Sequence, residues 1–295
     1  MTVADIFRQA NEQLRDLYPE EEIKAMVFVL LQHFAGLSKT QIYTNPQLSI
    51  FHFPFSIFHS LNQLSTGRPL QYVLGETEFS GLVFEVNENV LIPRPETEEL
   101  VHWAVDELKS FAAPRVLDLC TGSACIAVSV AAALPSAQVS ACDISLPALD
   151  VARRNAARNK VNIDFFECDI LSDELQVTSY KNPVTRHSSL VTSPVDCILS
   201  NPPYVRNSEK LLMRRNVLDF EPPIALFVED SDPLVFYRAI AGIACKHLSP
   251  DGFVMVEINE ALADETAQVF KNEGFSQIEF RKDIFDKDRI LKISY

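Results

Sequence analysis

The tetrapeptide Asn201-Pro202-Pro203-Tyr204 combines residue types that could hold a planar polar group. Each proline fixes φ near about −65° and removes a backbone donor, so the segment forms a stiff turn that aims the flanking side chains. The Asn201 amide offers both hydrogen-bond donors and acceptors, and the Tyr204 ring offers a flat face. Chemistry on a planar NH₂ group is one interpretation of this turn, and a purely structural corner is the other.

A second set of candidate residues, 120–124, lies between two apolar segments and contains Gly122. A strand followed by a tight turn and a helix N-terminus leaves free backbone N–H groups facing a ligand. Asp143 closes the next apolar segment, where a carboxylate could accept hydrogen bonds from ribose hydroxyls. Such turns are common in α/β proteins, and Asp143 could instead cap a helix that begins near Leu146. A nucleoside site and a structural role both stay open.

Alternating strand-like and helix-like segments must position these residues. Strands are predicted at 115–119, 138–142, 163–168, 195–200 and 253–258, followed by a helix at about 261–272 and a terminal antiparallel pair at 277–281 and 289–294. This alternation predicts an α/β fold with a parallel sheet covered by helices on both faces. Ligands bind such sheets where the strand order reverses, so Gly122 and Asn201 should face each other. Cys168, Asp169 and Ile170 would then form a wall for an adenine ring.

The first part of the chain has a different pattern. Apolar residues at spacings of three and four predict helices over 3–64, with Gly36 as a helix stop. The phenylalanines between 51 and 58 would present a large apolar surface either to the core of this bundle or to a partner, and the core is favoured. Two β-rich segments, 71–74 and 82–86, predict a hairpin around Ser80-Gly81. We therefore expect a helical domain at 1–68, a β-hairpin linker at 69–93 and an α/β domain at 94–295. The polar stretch 178–194 is expected to be a loop inserted before the fourth strand.

Composition narrows the classes of partner. The formal net charge of −14 disfavours binding to a phosphate backbone and shifts the expectation toward protein substrates. No apolar run approaches the roughly 20 residues of a membrane span, and the first residues do not have the pattern of a secretory signal. The six cysteines lack metal-type clustering and are expected to be reduced thiols, so no metal site is predicted. We expect a monomer in the cytoplasm.

Longer motifs make the chain resemble the HemK/PrmC family of protein-glutamine N5-methyltransferases, which modify the Gly-Gly-Gln tripeptide of peptide-chain release factors. The motifs are the stretch 67–75 (GRPLQYVLG), the stretch 91–98 (LIPRPETE), Asn-Pro-Pro-Tyr at 201–204, and Phe220-Glu221-Pro222 followed by Ala225-Leu226. Asn-Pro-Pro-Tyr alone is also similar to adenine-N6 DNA methyltransferases, and the segment around Arg94 separates the two. The resemblance implies a class I (Rossmann-like) seven-stranded methyltransferase domain that uses S-adenosylmethionine.

The resemblance also implies roles for individual residues. It places the cofactor positions on Cys120, Thr121, Gly122, Ser123, Ala124, Asp143, Ile170 and Asn201. Asp169, which directly precedes Ile170 at the end of the third predicted strand, is a further cofactor candidate. It places the substrate positions on Asn201, Pro202, Pro203 and Tyr204, and it makes the helical domain a grip for the protein substrate. Arg94 is a further candidate, which would organise the loop over the site. Family members usually have glycine at positions 120 and 124, and some have Trp at 170, so weaker cofactor binding is implied.

The expected chemistry is transfer of a methyl group to a glutamine side-chain nitrogen. The oxygen of Asn201 and the backbone carbonyl of Pro202 would accept hydrogen bonds from the glutamine NH₂ group, with Tyr204 packed against the flat amide. Glu257, at the end of the fifth strand, is a further candidate with an equally plausible structural role. Two alternatives stay open: an adenine-N6 methyltransferase acting on nucleic acid, and a binding module that has lost catalysis. A dinucleotide dehydrogenase is disfavoured because Gly-x-Gly-x-x-Gly is absent.

Overall fold

The computed structural model describes residues 1–50, 54–172, 194–283 and 286–295. Contacts group the chain into two compact units, the first containing Met1–Gly75 with Arg214–Phe220 and the second containing Glu76–Met213 with Glu221–Tyr295. The helices are α1 (Val3–Leu14), α2 (Glu20–Ala35), α3 (Lys39–Thr44), α4 (Pro54–Leu64), α5 (Leu70–Leu74), α6 (Pro95–Leu108), α7 (Cys125–Ala133), α8 (Leu146–Arg158), α9 (Arg215–Phe220), α10 (Val235–His247) and α11 (Ala263–Asn272). The strands are β1 (Glu76–Phe79), β2 (Leu82–Glu85), β3 (Arg115–Leu119), β4 (Gln138–Asp143), β5 (Asp164–Glu167), β6 (Val195–Ser200), β7 (Val205–Arg206), β8 (Phe227–Val228), β9 (Leu248–Glu257), β10 (Gln277–Lys282) and β11 (Asp288–Ser294).

The first unit is helical, as its apolar spacing predicts. Thr2 and Ser38 begin α1 and α3 with capping boxes, in which the side chain and the third helical residue satisfy each other's backbone N–H groups. Gly36 ends α2 in the left-handed conformation, at φ 64°, where a β-carbon would be strained. Of the phenylalanines expected in the core, Phe58 packs against the core of the unit and Phe55 is 83% exposed, whereas Phe51 and Phe53 lie outside the described residues.

The hairpin after the bundle exists, but its first strand begins later in the chain than predicted. Residues Leu70–Leu74 form helix α5 and not a strand, because Pro69 enters the helix in extended geometry and Gly75 ends it at φ 75°. The hairpin consists of β1 and β2, which pair around Ser80 and Gly81. The expected loop at 178–194 lies, apart from Pro194, outside the described residues.

The second unit contains the predicted seven-stranded sheet, in the order β10-β11-β9-β6-β3-β4-β5. Strands β9, β6, β3, β4 and β5 are parallel, and β11 lies antiparallel between β9 and β10. Helices α6, α7 and α8 contribute to one apolar core cluster, and α10 and α11 contribute to another. The chain runs outward from β3 through β4 to β5 and then crosses to β6 on the other side of β3. The order therefore reverses between β3 and β6, as expected.

Within the described ranges, no helix is both long and apolar enough to cross a bilayer. All six cysteines are free thiols, as predicted, and only Cys245 is exposed.

Candidate active site

A cavity of about 250 Å³ opens at the carboxyl ends of β3, β4, β5 and β6 in the second unit. The predicted residues that line it are Arg94, Cys120, Thr121, Gly122, Ser123, Asp143, Cys168, Asp169, Ile170, Asn201 and Pro203. Three predicted site residues, Ala124, Pro202 and Tyr204, are not part of this lining. The topology thus brings together segments that are up to about a hundred residues apart in the chain.

The turn after β3 has the backbone conformation of a glycine-rich loop although it contains one glycine. Cys120, Gly122 and Ala124 have φ angles of 59°, 55° and 63°, all in the left-handed region. A residue with a β-carbon pays roughly 1–2 kcal/mol to occupy that region. Space around Gly122 is open, since no atom lies within 4 Å of the position that a β-carbon would take. The turn therefore keeps the shape that lets its backbone approach a ligand, at the cost of strain at Cys120 and Ala124.

The buried carboxyl group of Asp118 stabilises this turn through hydrogen bonds. Its Oδ2 accepts hydrogen bonds from Thr121 Oγ1 at 2.5 Å and from the backbone N–H of Ala127 at 3.3 Å. Its Oδ1 is buried and has no hydrogen-bond partner. Burial raises the pKa of Asp118 to about 7, against the opposing effect of these two donors. The carboxyl group that holds the turn is therefore part neutral near pH 7.

Asp143 has the acceptor capacity that a ribose diol requires. Its Oδ2 accepts the Gly122 N–H at 2.8 Å and its Oδ1 accepts the Ser145 N–H at 2.9 Å. Each carboxylate oxygen has two lone-pair sites, so the group keeps acceptor capacity for a hydroxyl donor. Burial raises the pKa of Asp143, and the backbone N–H groups oppose that rise. Ser145, and not Asp143, caps α8, because the Ser145 hydroxyl accepts the Ala148 N–H.

The end of β5 supplies an apolar wall. Ile170 is buried and lines the cavity together with Ile144, Cys168 and Leu171. Asp169 turns the chain here, since its Oδ1 accepts the Leu171 N–H at 2.9 Å. The surface suits a flat ring, which would be held by aliphatic contacts.

The turn after β6 directs Asn201 and Tyr204 to different surroundings. Asn201 lines the cavity, and its Nδ2 donates to Thr97 Oγ1 at 3.2 Å. The Tyr204 ring packs against the core, and its hydroxyl donates to Glu257 Oε1 at 2.8 Å. Burial, reinforced by the negative charge of Glu257, raises the pKa of Tyr204 well above its usual value. Tyr204 is therefore a neutral hydrogen-bond donor that ties the turn after β6 to the end of β9.

Thr97 is a functional candidate that the sequence did not single out. It lies in the first turn of α6, lines the cavity, and donates from Oγ1 to Glu257 Oε2 at 2.6 Å. Glu257, at the end of β9, accepts this bond and the bond from Tyr204 on its two oxygens. In the sequence, Thr97 is marked only by its place in the LIPRPETE stretch, which predicts no contact between Thr97 and Glu257.

Glu221 organises the segment around Arg94. Arg94 Nη2 donates to Glu221 Oε1 at 2.6 Å, and the backbone N–H of Ile92 donates to Glu221 Oε2 at 3.2 Å. Glu221 is buried, and Arg94 is half-buried at the cavity wall. The ion pair joins two motifs that lie 127 residues apart in the chain.

Asn155 ties the hairpin to the turn after β3. Its Oδ1 accepts the Glu85 N–H at 2.6 Å, and its Nδ2 donates to Glu85 O at 3.0 Å and to Ser123 O at 2.9 Å. The side chain is fully buried. The sequence offered no signal for this contact, because a polar residue in a helix is normally expected on the solvent face.

Comparison with known proteins agrees with this architecture. A family model of the methyltransferase small domain matches residues 103–219, and a model of the PrmC N-terminal domain matches residues 5–75. A protein from Flavobacterium psychrophilum named release factor glutamine methyltransferase is 40% identical over 299 residues, covering 100% of both chains. One of the same name from Bacteroides thetaiotaomicron is 40% identical over 283 residues, covering 95% of this chain and 96% of its own.

Solved structures extend the likeness to the fold. The catalytic domain of hMettl16 in complex with MAT2A 3′UTR hairpin 6 superposes with a TM-score of 0.55 at 15% identity, covering 90% of this chain and 92% of that one. At this identity the likeness concerns the fold alone.

Proposed function

The chain belongs to the release factor glutamine methyltransferases, and we propose from this premise that it methylates the side-chain nitrogen (N5) of the glutamine in the Gly-Gly-Gln motif of peptide-chain release factors. It is a methyltransferase whose second unit carries the catalytic fold. The assignment of the site rests on one observation: residues 120–123, Asp143 and Asn201 line the same cavity.

The residues of the cavity fit S-adenosylmethionine. Asp143 would accept from the ribose hydroxyls, Ile170 and Ile144 would hold the adenine ring, and the turn at 120–124 would receive the methionine part. When bound, this cofactor supplies a methyl group on a positively charged sulfur. The open space at Gly122 supports the fit. The β-carbon of Cys120, which lines the cavity, is compatible with it but leaves less room for the ligand, whereas Ala124 is buried outside the lining.

Asn201 would hold the glutamine that accepts the methyl group. An amide nitrogen is a poor nucleophile because its lone pair is delocalised into the carbonyl, so the site must orient it and favour the positive charge that develops on it. No donor among the described residues is bonded to Asn201 Oδ1, which can therefore accept from the glutamine NH₂ group. The backbone carbonyl of Pro202 would accept the second N–H. No general base is needed before transfer, since the nitrogen becomes acidic only after methylation.

Tyr204 has a different proposed role from the one expected from sequence. Its hydrogen bond to Glu257 and its core packing support a role in holding the turn, in place of direct contact with the substrate amide. Arg94, held by Glu221, would shape the cavity wall over the substrate.

The helical unit would bind the body of the release factor. The match of the PrmC N-terminal domain to residues 5–75 supports this division of labour between the predicted domain at 1–68 and the catalytic domain at 94–295. The formal net charge of −14 supports a protein substrate over nucleic acid. We expect the chain to act as a monomer in the cytoplasm, where release factors work.

One experiment separates glutamine from adenine as the methyl acceptor. Purified protein is incubated with labelled S-adenosylmethionine and either a release factor, the same release factor with its Gly-Gly-Gln glutamine changed to glutamate, or a DNA duplex. We expect label only on the unaltered release factor. Equal labelling of the glutamate variant, or of the duplex, would refute the proposal. Calorimetry with the cofactor alone checks binding, and no detectable binding at millimolar concentration would favour a non-catalytic module.

A further inference from the structure

We propose that Thr97 and Glu257 are positioning residues that fix which way the side-chain amide of Asn201 faces. Their arrangement presents the Asn201 oxygen, and not its nitrogen, to the acceptor amide. The inference rests on the proposed function, because it concerns how the same cavity selects an NH₂ group.

Three separate segments form a single hydrogen-bonded chain at this point. Asn201 Nδ2 donates to Thr97 Oγ1 at 3.2 Å, and Thr97 Oγ1 donates to Glu257 Oε2 at 2.6 Å. Tyr204 donates to the other Glu257 oxygen at 2.8 Å. The Tyr237 hydroxyl donates to the backbone carbonyl of Glu257 at 3.0 Å, which holds the end of β9 in place.

The direction of this chain follows from the number of hydrogens available. A threonine hydroxyl has one hydrogen, and an ionised carboxylate only accepts. Thr97 gives its hydrogen to Glu257, so it can only accept from Asn201. Asn201 must therefore turn its NH₂ group toward Thr97 and its oxygen toward the cavity. In the flipped amide, the Asn201 NH₂ group would face the NH₂ group of the substrate, and two donors would oppose each other.

Burial makes the direction strict. Thr97 and Glu257 are each 2% exposed, so water cannot readily take the place of either partner. A buried carboxylate also carries a desolvation cost that an apolar side chain of similar size would avoid. Burial raises the pKa of Glu257, but the hydroxyls of Thr97 and Tyr204 and the positive charge of Arg289 favour its ionised form. The benefit that offsets the desolvation cost of Glu257 is a defined orientation of the Asn201 side chain.

The test compares Thr97→Val, which removes the hydroxyl and keeps the shape, with Thr97→Ser, which restores the hydroxyl. Thr266→Val is the matched control, since Thr266 is fully buried in α11 and donates only to a helix carbonyl. We expect Thr97→Val to lower kcat for release-factor methylation by about 10- to 100-fold, because a misoriented group is costly even when binding is retained. KM for the release factor and the Kd of the cofactor should be unchanged, Thr97→Ser should recover most of the activity, and Thr266→Val should keep it.

A second measurement separates this inference from the proposed function. The side-chain NH₂ signals of Asn201, identified by their loss in Asn201→Ala, are observed by nuclear magnetic resonance, and their exchange with solvent is compared in the parent and in Thr97→Val. Protection that is present in the parent and lost in the variant supports the orientation even if no release factor is methylated. Unprotected signals in the parent, unchanged kcat in Thr97→Val, or a Thr97→Ser variant as poor as Thr97→Val would overturn it. Should Thr97→Val fail to fold, Thr97→Ala, which also removes the hydroxyl, carries the same expectation for kcat and protection.

Discussion

Replacement of Asn155 by aspartate is expected to loosen the 120–124 turn by removing its hydrogen bond to the Ser123 carbonyl. In the structure, the Asn155 NH₂ group donates to the carbonyls of Glu85 and Ser123, and its oxygen accepts the Glu85 N–H. Aspartate has nearly the same shape, but it turns an acceptor toward both carbonyls. The hairpin and the 120–124 turn then lose their common anchor.

The expected cost can be built from these contacts. Two hydrogen bonds are lost at roughly 1 kcal/mol each, and the carbonyl of Ser123, a residue that is buried, loses this partner at about 1–3 kcal/mol. The free energy of unfolding should therefore fall by about 3–5 kcal/mol. The Kd of S-adenosylmethionine should rise, because the Ser123 segment lines its cavity.

Denaturant unfolding and calorimetry measure the two effects, and Asn159→Asp is the matched control. Asn159 lies one helical turn further on and donates to the Val83 and Asn155 carbonyls in a more exposed setting. Water can replace those bonds, so the control should lose no more than about 1 kcal/mol. Equal destabilisation by the two variants, or an unchanged cofactor Kd in Asn155→Asp, would refute the coupling between the hairpin and the turn.

Three further substitutions probe the walls of the site. Burial raises the pKa of Asp118 from 3.8 to about 7, so the folded chain binds this proton more tightly than the unfolded chain does. The folded chain therefore loses stability as the pH rises from 3.8 through about 7. Relative to the parent, Asp118→Asn should therefore gain about 2–3 kcal/mol of unfolding free energy between pH 5 and pH 8 in denaturant titrations, and a constant difference would contradict this. Cys120→Gly should relieve about 1–2 kcal/mol of backbone strain and tighten cofactor binding in calorimetry, whereas a higher Kd would count against the strain argument. Glu221→Gln should lose about 1–3 kcal/mol of unfolding free energy because it removes the charge partner of Arg94, and stability equal to the parent would exclude that role.

Much of the fold could be predicted because its signals are local. The apolar runs of β3 and β6 are buried on both faces of the sheet, and such runs stand out between polar turns. The error at 71–74 has a local cause as well: a five-residue segment is too short for its period to distinguish helix from strand, and the flanking Pro69 and Gly75 decided the outcome. Phe55 was misplaced because an aromatic residue carries no sequence mark of whether it faces the core.

The site was predictable only where it depends on strand ends. The carboxyl ends of parallel strands meet at one edge, so Gly122, Asp143 and Asn201 could be brought together from the order of segments alone. The hydrogen bonds of Thr97 and Asn155 could not, because they depend on side-chain directions in three dimensions. Long-range partners of this kind leave no periodic pattern in a single sequence.

The most direct test of the proposed function is the mass-spectrometric analysis of a release factor after incubation with the cofactor and either the parent protein or Asn201→Ala. We expect one added methyl group on the glutamine of the Gly-Gly-Gln peptide with the parent protein. With Asn201→Ala we expect the methylation rate to fall by about 100-fold or more at unchanged cofactor Kd, because an acceptor aimed at the reacting nitrogen is lost. A methyl group on any other residue, or an Asn201→Ala variant with near-normal kcat, would contradict these expectations.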